Sequence, residues 1–286
     1  MKIAFTKMQA CGNDYIYIDA TEAMPAADPS RLARAMSPRR FSVGADGVVF
    51  ICTSAVADAR MRIFNADGSE AEICGNALRC VARYMRERLR VIKDVIKIET
   101  LSGIHTVRAE SDGKYTVTVS RAVPDLHGFC GADTENKRAA RFLDGDMFYT
   151  VPVSVGNPHL VAFAADVDTL DVPRLGAAAQ KEPDFPQGVN AEFVEILGKN
   201  RLKMRVYERG SGETFACGSG AAAATIAAVT GGFADFDKTV CVEMRGGDLM
   251  TVCHRDFTVA VTGNADFVYN GVYEYDNVCD ASESQD

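Results

Sequence analysis

The chain predicts an α+β fold of two pseudo-symmetric lobes, each a β-sheet or barrel wrapped around one central helix, with a cleft between them. Three observations point there. The sequence of 286 residues repeats itself at half its length: MRIFNADGSEAEICG (61–75) aligns without gaps on MRVYERGSGETFACG (204–218), an offset of 143. Upstream, ACGNDYIYID (10–19) matches SVGNPHLVAF (154–163) at 144, and VGADGVVFI (43–51) matches VNAEFVEI (189–196) at 146. Both halves are rich in short alternating or β-branched runs, and each carries one convincing helix directly after a Cys-Gly pair.

Taken in order, strands are predicted at 2–6, 15–19, 47–52 and 60–64. After Cys74, the residues Leu78, Val81, Ala82, Met85 and Leu89 recur at helical spacing with Arg and Glu between them, an amphipathic helix of about four turns. Strands at 95–99, 104–109 and 115–119 complete the first half, and the polar, Gly/Asp-rich stretch 124–147 reads as a bridge. The second half repeats the pattern with strands at 149–155, 159–163, 192–196 and 202–207. After Cys217, GAAAATIAAVTGG is apolar all round and ends at paired glycines, a buried helix with a glycine stop. Strands at 240–244, 248–253 and 257–262 follow. The expected lobes are 1–120, completed by a C-terminal strand at 265–277, and 121–264, with 278–286 a disordered acidic tail.

With 31 Lys plus Arg against 39 Asp plus Glu, the net charge is −8 and no basic cluster stands out. Nucleic acid and anionic membrane surfaces are therefore disfavoured as partners, since both require a basic face. No apolar run is long enough to span a bilayer and the N-terminus lacks a secretory signal pattern, so a cytoplasmic protein is expected. Nine cysteines, an odd number without zinc spacing, argue for reduced thiols and no structural metal. Cys11, Cys52, Cys80, Cys130, Cys241, Cys253 and Cys279 read as filler.

Cys74 and Cys217 are different, because the repeat sets each at the start of a helix. There, unpaired N–H groups and partial positive charge lower a thiol pKa and bind a carboxylate. The glycine after each lets a ligand approach the backbone. If the lobes face each other, two thiols can remove a proton from one face of a carbon and return one to the other. An α-amino acid held between them would be inverted.

The motifs CGNDYIY (11–17), VGADG (43–47), FNADGSEAEICGNALRC (64–80), GNPH (156–159), VNAEF (189–193), ERGSGET (208–214) and ACGSGA (216–221) resemble those of the diaminopimelate epimerase family nearly end to end. That resemblance implies a homodimer without cofactor or metal, acting on a small amino acid. The implied reaction is conversion of LL- to meso-diaminopimelate for lysine and peptidoglycan synthesis. It implies catalytic bases at Cys74 and Cys217, helped by His159 and Glu208. It implies carboxylate binding by the backbone of Gly75, Asn76, Gly218 and Ser219, and substrate contacts from Asn13, Asn65, Asn157, Asn190, Glu208 and Arg209. Glu208 and Arg209 suit a second ammonium and carboxylate. Two positions depart from the usual pattern: Ala77 stands where glycine is common, and Gly47 where some members carry a polar residue. A racemase of another amino acid, such as histidine or proline, is the alternative within this fold. A dinucleotide-binding dehydrogenase read from GSGAAA, or a binding protein that uses neither thiol, are rivals from other classes.

Overall fold

The computed structural model describes residues 1–119 and 139–275. The first half contains β1 (Lys2–Ala10), β2 (Asn13–Ala20), α1 (Pro29–Met36), β3 (Gly47–Cys52), β4 (Ala59–Asn65), β5 (Glu70–Ala71), α2 (Gly75–Glu87), β6 (Val95–Thr100), β7 (Gly103–Ala109) and β8 (Tyr115–Val119). The second contains β9 (Ala139–Leu143), β10 (Asp146–Ser154), β11 (Pro158–Ala164), α3 (Val172–Ala179), β12 (Asn190–Gly198), β13 (Arg201–Glu208), β14 (Gly212–Thr214), α4 (Gly218–Thr230), β15 (Thr239–Glu243), β16 (Leu249–Cys253), β17 (Val259–Gly263) and β18 (Asp266–Glu274). Part of the expected bridge, the acidic tail, Cys130 and Cys279 lie outside the described residues.

Strand pairing repeats with the sequence. In the first half β1–β2 is antiparallel, β2–β3 parallel, β3–β4 antiparallel, β4–β6 parallel, and β6–β7–β8 antiparallel. The series β10–β11–β12–β13–β15–β16–β17 follows the same rule step for step. β18 pairs with β1 as β9 pairs with β10, and β8 pairs with β17 to join the two lobes. Register also refines the repeat. Tyr15 pairs with Gly47, and its counterpart His159 pairs with Asn190, so residue 47 corresponds to 190 and the offset here is 143, not 146.

Alternation along the strands separates two cores in each lobe, because successive side chains leave the sheet on opposite faces. Tyr15, Tyr17, Val49, Ile51, Met61 and Ile63 point at α2, where Leu78, Val81, Ala82 and Met85 are buried. Ile16, Ile18, Val48, Phe50 and Phe64 point the other way, onto Leu32, Ala33 and Met36 of α1. In the second lobe Val153, Val161, Val194 and Met204 enclose α4. Leu160, Ala162 and Phe193 pack on Val172, Leu175 and Ala179 of α3. Each fully buried Leu, Val or Met stabilises the fold by roughly 1.5–3 kcal/mol. α4 runs through the middle of its core, which is why Ala221–Val229 is buried on every side and apolar apart from Thr225, whose hydroxyl bonds to Thr251. Gly232, in the left-handed region at φ +80, terminates it.

Two helices go beyond the single helix expected per lobe. α1 and α3 are only 8 residues each, too short for periodicity to stand out, yet both begin in the same way. Asp28 caps Arg31 N–H and Asp171 caps Arg174 N–H, each with proline in the first turn, and the two caps are again 143 apart. Residues 139–147 are likewise not bridge. They start a hairpin whose Asp144-Gly145 turn has φ +48 and +90, the double left-handed geometry that Asp-Gly favours.

Candidate active site

Each candidate thiol is placed by a short hairpin. Arg62 grips Glu70 at 2.7 Å across β4–β5, and its repeat partner Arg205 grips Glu213 at 2.8 Å across β13–β14. This explains why Arg and Glu recur in both copies of the repeat. Beyond each hairpin the chain stays extended for one residue, Cys74 at φ −142, ψ 115 and Cys217 at φ −133, ψ 116, and then enters α2 or α4. Both cysteines are therefore N-caps, the position where a helix leaves its first N–H groups unpaired.

The two sulfurs are held differently. Cys217 Sγ accepts the Gly220 N–H at 3.3 Å and sits 3.4 Å from Ser219 Oγ. Cys74 Sγ makes no cap bond and instead reaches Asn13 Oδ1 at 3.2 Å. A Cβ added at Gly75 or Gly218 would meet nothing within 4 Å, so the backbone in front of both helix ends is open to a ligand.

Glu208, at the end of β13, couples the two lobes. Its charge disfavours ionisation of both Cys74 and Cys217, which puts one carboxylate within electrostatic reach of both thiols. The helix starts do not produce the expected lowered thiol pKa. Burial pushes Cys74 up and Glu208 adds to it, against the N–H groups of Ala77 and Asn76. Burial pushes Cys217 well above the usual range, reinforced by Glu208 and Glu192, with only Ser219 and Gly220 opposing. Loss of water outweighs the helix dipole at both sites.

His159 is fully buried on β11, with Nδ1 2.7 Å from Glu192 Oε1 and Nε2 3.0 Å from Asn157 Oδ1. Glu192 is the residue that sequence reasoning missed. It is fully buried on β12, its Oε2 has no hydrogen-bond partner among the described residues, and a Cβ at Gly220 would lie 2.8 Å from its Oε1, so it abuts the first turn of α4. Burial raises its pKa against the pull of His159. The available signal was an acid among apolar residues in a strand that pairs on both sides.

Asn13 donates from Nδ2 to Asp46 at 2.8 Å while its oxygen faces Cys74. Asn76 is buried and accepts from Arg79 at 2.6 Å. Asn190 takes the Arg209 backbone N–H at 2.9 Å, which ties the Glu208-Arg209 segment to β12. Glu208 accepts from Thr214 Oγ1. The Arg209 guanidinium is exposed and touches only the Gln187 carbonyl, at 3.4 Å, among the described residues. Asn65 lies on the last residue of β4 and donates to Ser69 Oγ at 3.0 Å. Among the described residues no group of three or more His, Cys, Asp or Glu could hold a metal. The dinucleotide reading fails on topology, because α4 follows a three-residue antiparallel strand instead of the long parallel strand of a βαβ unit.

The same two-lobed architecture occurs in solved structures of amino-acid epimerases, racemases and related proteins. A Bacillus anthracis phenazine biosynthesis protein of the PhzF family matches with a TM-score of 0.71 at 19% identity, covering 96% of this chain and all of that one. A hydroxyproline epimerase from Agrobacterium vitis matches at 0.64 and 12% identity, covering 95% and 92%. Sequence relationships are narrower. The family model described as diaminopimelate epimerase matches residues 5–125 and 151–268. Diaminopimelate epimerases of Desulfovibrio desulfuricans and Geobacillus kaustophilus are 43% and 42% identical, each over 95% of this chain and 98% and 97% of their own. The chain belongs to the diaminopimelate epimerase family, and is thus an isomerase.

Proposed function

We propose that this protein converts LL-2,6-diaminopimelate to its meso isomer with two thiols and no cofactor, in the supply of lysine and peptidoglycan precursors. The observation that carries the reading is the pair of N-cap cysteines, one from each lobe, sharing the field of Glu208. One thiolate removes the α-proton. The electron pair left on carbon spreads into the α-carboxylate, which the N–H groups of Gly75, Asn76, Gly218 and Ser219 hold at the two helix ends. The other thiol gives its proton to the opposite face, and the roles exchange in the reverse direction. Because both thiols resist ionisation in the free protein, the substrate ammonium supplies the positive charge that makes one thiolate affordable.

The distal amino acid group distinguishes this substrate from histidine or proline. Arg209 takes its carboxylate and Glu208 its ammonium, with Asn65, Asn157 and Asn190 completing the polar contacts and Asn13 orienting Cys74. His159, locked by Glu192 and Asn157, assists proton exchange at Cys217. We place the lobes at 1–120 with 265–277, and at 121–264. A cytoplasmic homodimer goes with this reading, supported by exposed Val268, Tyr269 and Val272 on β18. Among the described residues no helix is long and apolar enough to cross a membrane.

Proton NMR of the reduced protein with LL-diaminopimelate in D₂O, beside tubes of L-histidine and L-proline, tests the reading. Loss of the α-hydrogen signal with growth of the meso isomer is expected for the first tube alone. Cys74→Ala and Cys217→Ala should each abolish it while keeping the fold. Exchange confined to another amino acid would move the specificity, and full activity in either variant would overturn the two-base assignment.

A further inference from the structure

The repeat gives the two thiols equivalent backbones, but the ionisable groups packed around them are not equivalent. Arg79, on α2, corresponds to Ala222 on α4 at the offset of 143, and both positions are completely buried. Tyr15 corresponds to His159 at an offset of 144, and Val49 to Glu192 at the offset of 143 set by strand register. Asn65 corresponds to Glu208, again 143 apart. Among the described residues, the buried cation without a carboxylate partner, Arg79, therefore lies on the Cys74 side, and the fully buried acid, Glu192, on the Cys217 side; buried Lys7 and Arg205 are paired with Asp14 and Glu213.

Arg79 is an unusual arginine. Its side chain donates from Nη2 to Asn76 Oδ1 at 2.6 Å and from Nε to the Asn264 carbonyl at 3.0 Å, with Cys11 Sγ 3.9 Å from Nη2. Among the described residues Nη1 has no hydrogen-bond partner and no carboxylate lies within ion-pair distance. The backbone of Gly263 packs against the guanidinium so closely that a Cβ there would lie 3.2 Å from it. A buried, unneutralised guanidinium is costly to the fold, and its field extends far through a low-dielectric interior.

Resting on the two-thiol reading, we propose that Arg79 is a positioning residue whose uncompensated charge makes Cys74, not Cys217, the thiol that gives up its proton first. Cys74 is faced by Arg79 and the Asn76 and Ala77 N–H groups from α2, by Tyr15 and Asn13 from β2, and by Glu208 from β13. Cys217 is faced by Glu208 from β13, by Glu192 from β12 with its partner His159 from β11, and by Ser219 and Gly220 from α4. Glu208 disfavours ionisation of both. What differs is an unpaired buried cation on one side and the buried carboxyl of Glu192 on the other. Arg79 also holds the Asn76 side chain, so it fixes the first turn of α2 while polarising the site. A symmetric scaffold thus yields one ready base and one ready acid.

The test is site-resolved alkylation of the reduced protein with iodoacetamide, following the Cys74 and Cys217 peptides by mass spectrometry between about pH 6 and 11, the range that brackets thiol ionisation. The Cys74 midpoint should lie below that of Cys217 by about one pH unit or more, as an opposite charge nearby requires. Arg79→Met should raise the Cys74 midpoint towards that of Cys217 and leave the latter where it was. Arg79→Lys, which keeps the charge, should preserve the order. A purely structural role would change how fast both sites react without moving the Cys74 midpoint. Coincident or reversed midpoints in the unaltered protein, or an unmoved Cys74 midpoint in folded Arg79→Met, overturn the proposal. If Arg79→Met does not fold, the unaltered protein and Arg79→Lys decide it. The outcome is independent of substrate: an ordered pair of midpoints without any epimerisation would uphold the charge asymmetry and reject the proposed function instead.

Discussion

Gly220→Ala separates helix propensity from the needs of the site. Gly220 is the third residue of α4, and the corresponding third residue of α2 is Ala77, fully buried and accommodated. On propensity alone, alanine at 220 should stabilise the helix by about 0.8–1 kcal/mol. The new Cβ, however, would lie 2.8 Å from Glu192 Oε1, 3.2 Å from Glu192 Cγ and 3.3 Å from Cys217 Cβ. Overpacking of this kind costs about 1–3 kcal/mol. The clash wins by roughly 1 kcal/mol, and for a chain of this size Tm should fall by about 2–4 °C. The carboxylate that must retreat is the one holding His159, so kcat should fall as well. Thermal melts by circular dichroism and initial rates of meso-diaminopimelate formation measure the two effects. Ala77→Gly is the control, because position 77 has Val49 where 220 has Glu192: Tm should drop by a similar amount with kcat unchanged. A Gly220→Ala protein that melts about 2–4 °C higher at full kcat would refute the contact between Glu192 and the α4 turn.

Other consequences can be checked as directly. Burial pushes the Asp14 carboxyl up, but hydrogen bonds from Arg39 and Lys7 outweigh it and hold it below the usual range. Because the folded value is the lower one, the stabilisation is present above the normal carboxylate range and is lost as pH falls below it, through the lowered folded value. Asp14→Asn strands the buried Lys7, whose ammonium sits 2.6 Å from that carboxylate; a loss of about 2–4 kcal/mol in urea titrations at pH 7 should shrink markedly towards pH 3. Phe193 is fully buried edge-on to Phe148 at 5.7 Å, and Phe193→Ala should cost about 3–5 kcal/mol by the same titration. Arg209→Leu should raise KM for diaminopimelate by about 10-fold or more, the worth of a charged hydrogen bond, without unfolding the protein.

The repeat made most of this architecture legible, because one half checked the other. MRIFNADGSEAEICG against MRVYERGSGETFACG placed two strands, two helix-start cysteines and two central helices at once, but not the short strands β5 and β14 that close the two hairpins. The failures have local causes. α1 and α3 are too short for a periodic signal, and their Asp-capped, proline-started turns at 28 and 171 were passed over even though they obey the repeat. The Asp144-Gly145 turn was absorbed into a supposed bridge because its neighbours are polar. The ionisation of the thiols was misjudged for a different reason: a sequence shows the helix start but not how completely the sulfur is withdrawn from water. Arg79 stayed hidden for the same cause, since it looks like a solvent-facing residue of an amphipathic helix; Glu192 did carry a signal, an acid among apolar residues, but its burial shows only once β11 and β13 flank β12.

The pairing of β1 with β18 bears on how the chain is made. Thr6 and Asn270 hydrogen-bond across this seam although 264 residues separate them, and the ladder runs the length of β1. As the polypeptide leaves the ribosome, the β10–β17 ladder emerges as a contiguous stretch that can pair within itself. The earlier-born strands meanwhile wait with β1 open along one edge until β18 appears. An unpaired edge of that length is a template for the wrong neighbour. In a crowded translation complex the nearest wrong neighbour is another nascent copy of the same strand, so speed of synthesis and chaperone supply, more than final stability, should govern the yield of native protein.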